Sequence, residues 1–263
     1  MTTLCIATFL TSAVLAPSGG ILAVDSRGIG VFDAGKWASM DSMFLEGPKV
    51  PQSTVDRLTA GACYSLSPNG AASEARANLT FQPDERDPLW SVEGNESPFL
   101  WFGPKPAALR VNSVKLDSSE YLRVAREYLK TKGLPNAKPV LHSVSQVDLD
   151  GNGTSEVLII LGSRKVADLG INFEDQFPSD SDYCAMIVRE AKGKSVRTIE
   201  VEFYANKAKN GSGIVTLRGI WNLDGKPGAE VVTDWRSYES GATSISQFSQ
   251  GKMKTVASAG AGV

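Results

Sequence analysis

From Val140 to the C-terminus the chain is a succession of short apolar runs cut by turn residues, and this pattern limits the fold more than any other feature. The candidate strands are Val140 to Val147, Glu156 to Leu161, Tyr183 to Arg189, Val196 to Tyr204, Ile214 to Trp221, Glu230 to Trp235, Thr243 to Phe248 and Met253 to Ala257. Turns such as Ala191-Lys192-Gly193-Lys194 and Asn210-Gly211-Ser212-Gly213 suit hairpins between neighbours, so an antiparallel β-meander is expected. Upstream, Ile21 to Val24 and Ile29 to Phe32 flank Asp25-Ser26-Arg27-Gly28 and read as a further hairpin. Met40 to Pro106 is rich in Pro, Gly, Ser and Asn, which reads as irregular β-structure with long loops.

One helix is signalled. Asp117-Ser118-Ser119-Glu120 supplies N-cap chemistry, and Tyr121, Leu122, Val124, Ala125, Tyr128 and Leu129 recur at helical spacing. Lys130 and Lys132 suit the negative end of the helix dipole, Gly133 suits the left-handed C-terminal position, and Pro135 prevents continuation. The fold class expected is α+β, mainly antiparallel β. Three segments follow: a leader-like 1–20, an irregular β-rich 21–110, and a helix-plus-meander unit over 111–263.

Leu4 to Ala16 is an uncharged apolar run ending at Pro17-Ser18-Gly19-Gly20. It is shorter than the roughly 20 residues that span a bilayer. It has the length of the apolar part of a signal peptide, without the usual basic residue before it, and the competing reading is a buried strand. Export is the expectation, with a secreted, periplasmic or envelope location. Once such a leader is removed, Cys63 and Cys184 remain as an even pair, either disulfide-bonded in an oxidising compartment or two buried thiols.

Composition removes several classes. A net charge of -2 across 263 residues lacks the basic surface that binds phosphate backbones, so nucleic acid is not an expected partner. His142 is the single histidine, which rules out a multi-histidine zinc site. No glycine-rich phosphate loop stands between a strand and a helix. Phe99-Leu100-Trp101-Phe102 with Trp90 has the composition of a sugar-stacking platform, although an aromatic cluster in a β-protein is ordinarily core. Glu174-Asp175 and Asp180-Ser181-Asp182 read as a solvated acidic loop.

The segment that carries chemistry is Asp148-Leu149-Asp150-Gly151-Asn152-Gly153-Thr154-Ser155-Glu156, between two apolar strands. Oxygen ligands at alternate positions, with glycine at the sixth, fold a short loop around a hard cation. Asp148, Asp150 and Asn152 would ligate by side chain, Thr154 through its carbonyl, and Glu156 directly or through water; such a donor set suits Ca²⁺. An EF-hand would need glutamate at the twelfth position, which is Ile159. A second copy, Asn222-Leu223-Asp224-Gly225-Lys226-Pro227-Gly228-Ala229-Glu230, begins 74 residues later (222 − 148). Here Lys226 holds the fifth position, and an ammonium has no lone pair for a metal. This copy, with Asn222, Asp224 and Glu230 as its remaining polar residues, is therefore expected to be a metal-free turn in which Lys226 neutralises Asp224 and Glu230.

The Asp-x-Asp-Gly-Asn-Gly-x-x-Glu string running into a strand resembles the calcium loops of FG-GAP and VCBS-type repeats, found in β-propellers and in many secreted bacterial proteins. The helix leading through Gly133-Leu134-Pro135 to Val147-Asp148-Leu149-Asp150-Gly151 is similar to a group of bacterial VCBS-repeat proteins. Two copies are too few to close a propeller, so incomplete propeller-like repeats are expected. Together these readings point to a non-enzymatic module with a structural Ca²⁺, binding an unidentified protein or carbohydrate. Two alternatives stand beside it: a secreted hydrolase of polysaccharide or cell wall using a carboxylate pair, and an adhesion module whose partner completes the metal shell.

Overall fold

The structure is a computed structural model, described here for residues 19–25, 27–40, 50–82, 89–165, 182–205, 213–237 and 240–262. It is mainly antiparallel β with two helices, and its sheets curl but stay open, with no closed barrel among the described residues. The apolar run Leu4 to Ala16, the residues Glu174, Asp175, Asp180 and Ser181 of the acidic segment, and the stretch Asn210-Gly211-Ser212 lie outside the described residues.

The first sheet contains β1 (Gly20–Val24), β2 (Arg27–Asp33), β3 (Lys36–Ser39), β4 (Cys63–Leu66), β5 (Ala72–Ala75), β6 (Asn78–Gln82), β7 (Leu89–Glu93) and β8 (Phe99–Phe102). Its order is β5-β4-β8-β1-β2-β7-β6, with β3 also on β2. Helix α1 (Gln52–Thr59) falls within this region. The second sheet runs β13-β12-β11-β10-β9, from β9 (Asn112–Ser113), β10 (Val140–Val147), β11 (Glu156–Gly162), β12 (Tyr183–Lys192) and β13 (Ser195–Ala205), with helix α2 (Ser119–Thr131) between β9 and β10. The third is a four-stranded meander of β14 (Ile214–Trp221), β15 (Glu230–Arg236), β16 (Ser240–Ser249) and β17 (Lys252–Gly262).

Strand alternation stacks these sheets. In β15, Val231 faces the second sheet and shares a core with Leu158, Ile160 and Met186, while Val232 faces the first sheet and packs with Leu22 and Trp101. The third sheet is therefore the middle layer, apolar on both faces as a doubly covered sheet must be. In β11 the odd residues Ile159 and Leu161 turn away from it and meet Tyr121, Ala125 and Leu129 of α2. On the opposite outer side, Val55 and Leu58 of α1 pack with Ile21, Ala23 and Leu100. Helix, sheet, sheet, sheet, helix is thus the order through the molecule.

Two expectations are corrected, and the open alternative for the cysteines is decided. The region between Met40 and Pro106 contains a helix besides its strands: α1 is eight residues long with no side-chain cap hydrogen bond. It buries only Val55 and Leu58, too few apolar positions to show a period. The same region also contributes to an ordered sheet rather than loose β-structure, because β8 inserts between β1 and β4 and pairs residues far apart in sequence. Cys63 and Cys184 do not pair: both are free and buried, one in the core beneath α1, the other between the second and third sheets.

No helix among the described residues is long and apolar enough to cross a membrane. Trp101 is fully buried, donating its indole N–H to the Pro104 carbonyl at 2.8 Å, and Phe99, Leu100 and Phe102 are buried with it. That run is core, not a platform; the Trp90 side chain lies outside the described residues.

Candidate metal centre

The nine-residue loop joins β10 to β11. Glu156 is the first residue of β11 and turns toward the same face as Leu158 and Ile160, so it is fully buried. Its Oε2 accepts the Leu149 backbone N–H at 2.9 Å, across the neck of the loop. Its Oε1 is buried and has no hydrogen-bond partner.

Asp148 and Asp150 are aimed by the loop's own backbone. Asn152 donates its N–H to Asp148 Oδ1 at 3.0 Å and to Asp150 Oδ1 at 3.2 Å, and Gly153 donates to Asp148 Oδ2 at 2.8 Å. Gly153 makes this turn with φ +86°, a conformation that an L side chain resists. Thr154 donates to Asn152 Oδ1 at 2.7 Å, which fixes the amide oxygen within the loop. Asn152 and Thr154 are exposed on its outer rim.

One carboxylate oxygen from each of Asp148, Asp150 and Glu156 lies within 4.8 Å of the others. Ligands on opposite sides of a Ca²⁺ ion are separated by about twice 2.4 Å, so the three oxygens fit one coordination shell. The electrostatics point the same way. Burial, followed by the charges of Asp150 and Asp148, pushes the Glu156 carboxyl up to about 7, against the pull of the Leu149 N–H. A buried carboxylate oxygen without a donor, beside two more carboxylates, is costly unless a proton or a cation joins it.

The second copy joins β14 to β15 and repeats the neck: Leu223 donates its N–H to Glu230 Oε2 at 2.7 Å. Lys226 donates its N–H to Asp224 Oδ1 at 2.9 Å, the counterpart of the bond from Asn152 to Asp150. The side chains then diverge. Asn222 accepts from Gly225 N–H at 3.0 Å and donates to the carbonyls of Lys226 and Gly228, closing the turn on itself. Lys226 behaves only partly as expected. Its Nζ lies 3.6 Å from Asp224, but it reaches the Gly35 carbonyl at 2.9 Å and sits 4.9 Å from the Phe32 ring centre, and Glu230 is not its partner. Glu230 is served instead by Gln247, which the sequence reading missed. The Gln247 Nε2 donates to Glu230 Oε1 at 2.7 Å and to Asp224 Oδ2 at 3.0 Å.

The loops also touch. Ala229 donates its N–H to the Leu149 carbonyl at 3.1 Å, and a Cβ added at Gly151 would lie 2.4 Å from the Pro227 Cβ. The first loop is thereby braced against the second.

Elsewhere, a groove of about 430 Å³ is lined by residues including Ser113, His142, Ser145 and Thr216, with no carboxylate among the described residues of its wall. His142 bonds the Arg164 carbonyl through Nε2 at 2.6 Å, and burial lowers its pKa against the opposing pull of that bond. Asp182 is held by Ser163 and Arg164, both at 2.8 Å, as a structural ion pair. Compared with protein-family models, curated proteins and solved structures, the chain matches none.

Proposed function

We propose that this chain is a non-enzymatic binding or structural module, secreted or envelope-associated, in which the β10–β11 loop holds a structural Ca²⁺. The observation that carries this reading is Glu156 Oε1, buried and without a donor, in a cluster with Asp148 and Asp150. Asp148, Asp150 and Glu156 supply three anionic oxygens, and the Asn152 amide oxygen and Thr154 carbonyl complete the set from the rim. An all-oxygen loop with flexible ligand number suits Ca²⁺ better than Mg²⁺, which demands a near-ideal octahedron. The resemblance to FG-GAP and VCBS-type loops supports the same ion, and the leader-like N-terminus supports an exterior where Ca²⁺ is plentiful. The work of the ion is mechanical: it fastens the turn between two strands whose next neighbour is the second loop.

The adhesion reading draws on one feature, the exposure of Asn152 and Thr154, which leaves the outer side of the cluster open to a partner's carboxylate. The hydrolase reading has less behind it, since Trp101 is core and no carboxylate stands among the described residues of the groove wall.

Isothermal titration of chelator-stripped protein with Ca²⁺ tests the assignment. One equivalent, absent in Asp148→Ala and Asp150→Ala, is the expected result; no binding heat at millimolar Ca²⁺ would remove it.

A further inference from the structure

The two loops differ at one oxygen. In each, one glutamate oxygen accepts a leucine N–H, from Leu149 to Glu156 and from Leu223 to Glu230. The other oxygen is without a partner at Glu156, whereas at Glu230 it accepts the Gln247 amide, which also donates to Asp224. Asp224 and Glu230 are the counterparts of Asp150 and Glu156 at the 74-residue offset (224 − 150 and 230 − 156). We propose that Gln247 determines which loop takes a cation, its amide standing in the second loop where a metal ion would bridge the aspartate and the glutamate. This rests on the reading of the first loop as a cation site and extends it to the whole repeat.

The strand register explains why only one loop carries the amide. Gln247 lies on β16 directly opposite Glu230. The equivalent strand of the other meander is β12, where Arg189 pairs with Val157, so the next residue, Glu190, stands where Gln247 does. Glu190 is itself a carboxylate and is paired with Arg197 of β13. It therefore brings the first loop no donor. An amide N–H₂ has two hydrogens and no net charge, which lets it join two carboxylates, but only as a fixed covalent part of the chain. The second loop is by this account permanently closed, and the first is closed on demand by an ion.

Exchange of the stand-in tests this. In an Asp150→Ala background, where the first loop is disabled, the added pair Lys226→Asn and Gln247→Glu should restore one equivalent of Ca²⁺ in titration, while Asp150→Ala alone binds none. A cooperatively melting triple variant that binds no Ca²⁺ would overturn the proposal. A native chain that binds no Ca²⁺ would defeat only the assignment of the first loop. Should the triple variant fail to fold, the Gln247 side-chain amide of the native protein decides. Its hydrogens should be protected from exchange equally in EDTA and in Ca²⁺, and exchange as fast as that of a solvent-exposed glutamine would contradict the proposal.

Discussion

Ala229 donates its backbone N–H to the Leu149 carbonyl at 3.1 Å, so the turn of one β-meander is hydrogen-bonded to the equivalent turn of the next. This bond couples the candidate cation loop to the middle layer of the fold. Through Lys226 and Gly35 the second loop is in turn tied to the first sheet.

That contact makes the two glycines of the first loop unequal. Gly151 has φ +74°, and a Cβ there would strike Pro227; Gly153 has φ +86° with open space around it. Gly153→Ala should cost about 1 to 2 kcal/mol through backbone strain alone. Gly151→Ala should cost about 1 to 3 kcal/mol more through the clash. Denaturant melts in Ca²⁺ check the order; equal losses would show that the loops are not in contact.

Glu156→Gln removes the charge but keeps the shape. Without cation, at about pH 8, the variant should be at least as stable as the native chain, because a buried charge beside two aspartates is gone. Its Ca²⁺ response should fall by an order of magnitude or more. Paired melts in EDTA and Ca²⁺ measure both, and a strong loss of stability in EDTA would contradict the account.

The pH dependence follows from the same carboxyl. Glu156 holds its proton up to about 7 when folded, while an unfolded glutamate releases it near 4.5. Below the unfolded value both states are protonated and this group does not disfavour folding. As pH rises toward 7 the unfolded chain releases its proton first, and cation-free stability falls by up to about 3 kcal/mol at about 1.36 kcal/mol per unit. Glu230 is shifted upward as well, by burial and by the charge of Asp224, and adds to the slope in the same direction. Under the proposed assignment, Ca²⁺ affinity should move oppositely, strengthening as pH rises through 7. Melts in EDTA at about pH 5 and about pH 8 should show the higher stability at pH 5, and a reversed order would contradict the assignment.

Gln247→Ala leaves Glu230 Oε1 buried without a donor. It should cost about 1 to 3 kcal/mol, the usual penalty for such a group. In urea unfolding that loss should appear with the first loop's Ca²⁺ affinity retained; an unchanged midpoint would show that the amide is not engaged.

The meander and α2 were legible because their signals are local. Alternation over β10 to β17 and the stripe from Tyr121 to Leu129 are written in neighbouring residues, and the candidate cation loop is a contiguous string. What was not legible depended on pairing across the chain. Nothing near Gln247 marks it as the partner of Glu230; an amide in Ser246-Gln247-Phe248 gains meaning only when β16 lies beside β15. In the first sheet the β1–β2 hairpin was legible, but the places of β8 between β1 and β4 and of β7 beside β2 were hidden for the same reason, and α1 was too short to show a period. Lys226 was misread in part because its long side chain reached the β2–β3 turn, a neighbour that no local pattern names.

The most direct measurement is a thermal melt of the chain lacking residues 1 to 18, in EDTA and in millimolar Ca²⁺, beside Asp150→Ala. A ligand that binds only the native state raises the melting temperature by mass action. A rise of several degrees in the native chain that disappears in Asp150→Ala is the predicted result. Superimposable melts of the native chain with and without Ca²⁺ would contradict the claim that the loop is a cation site.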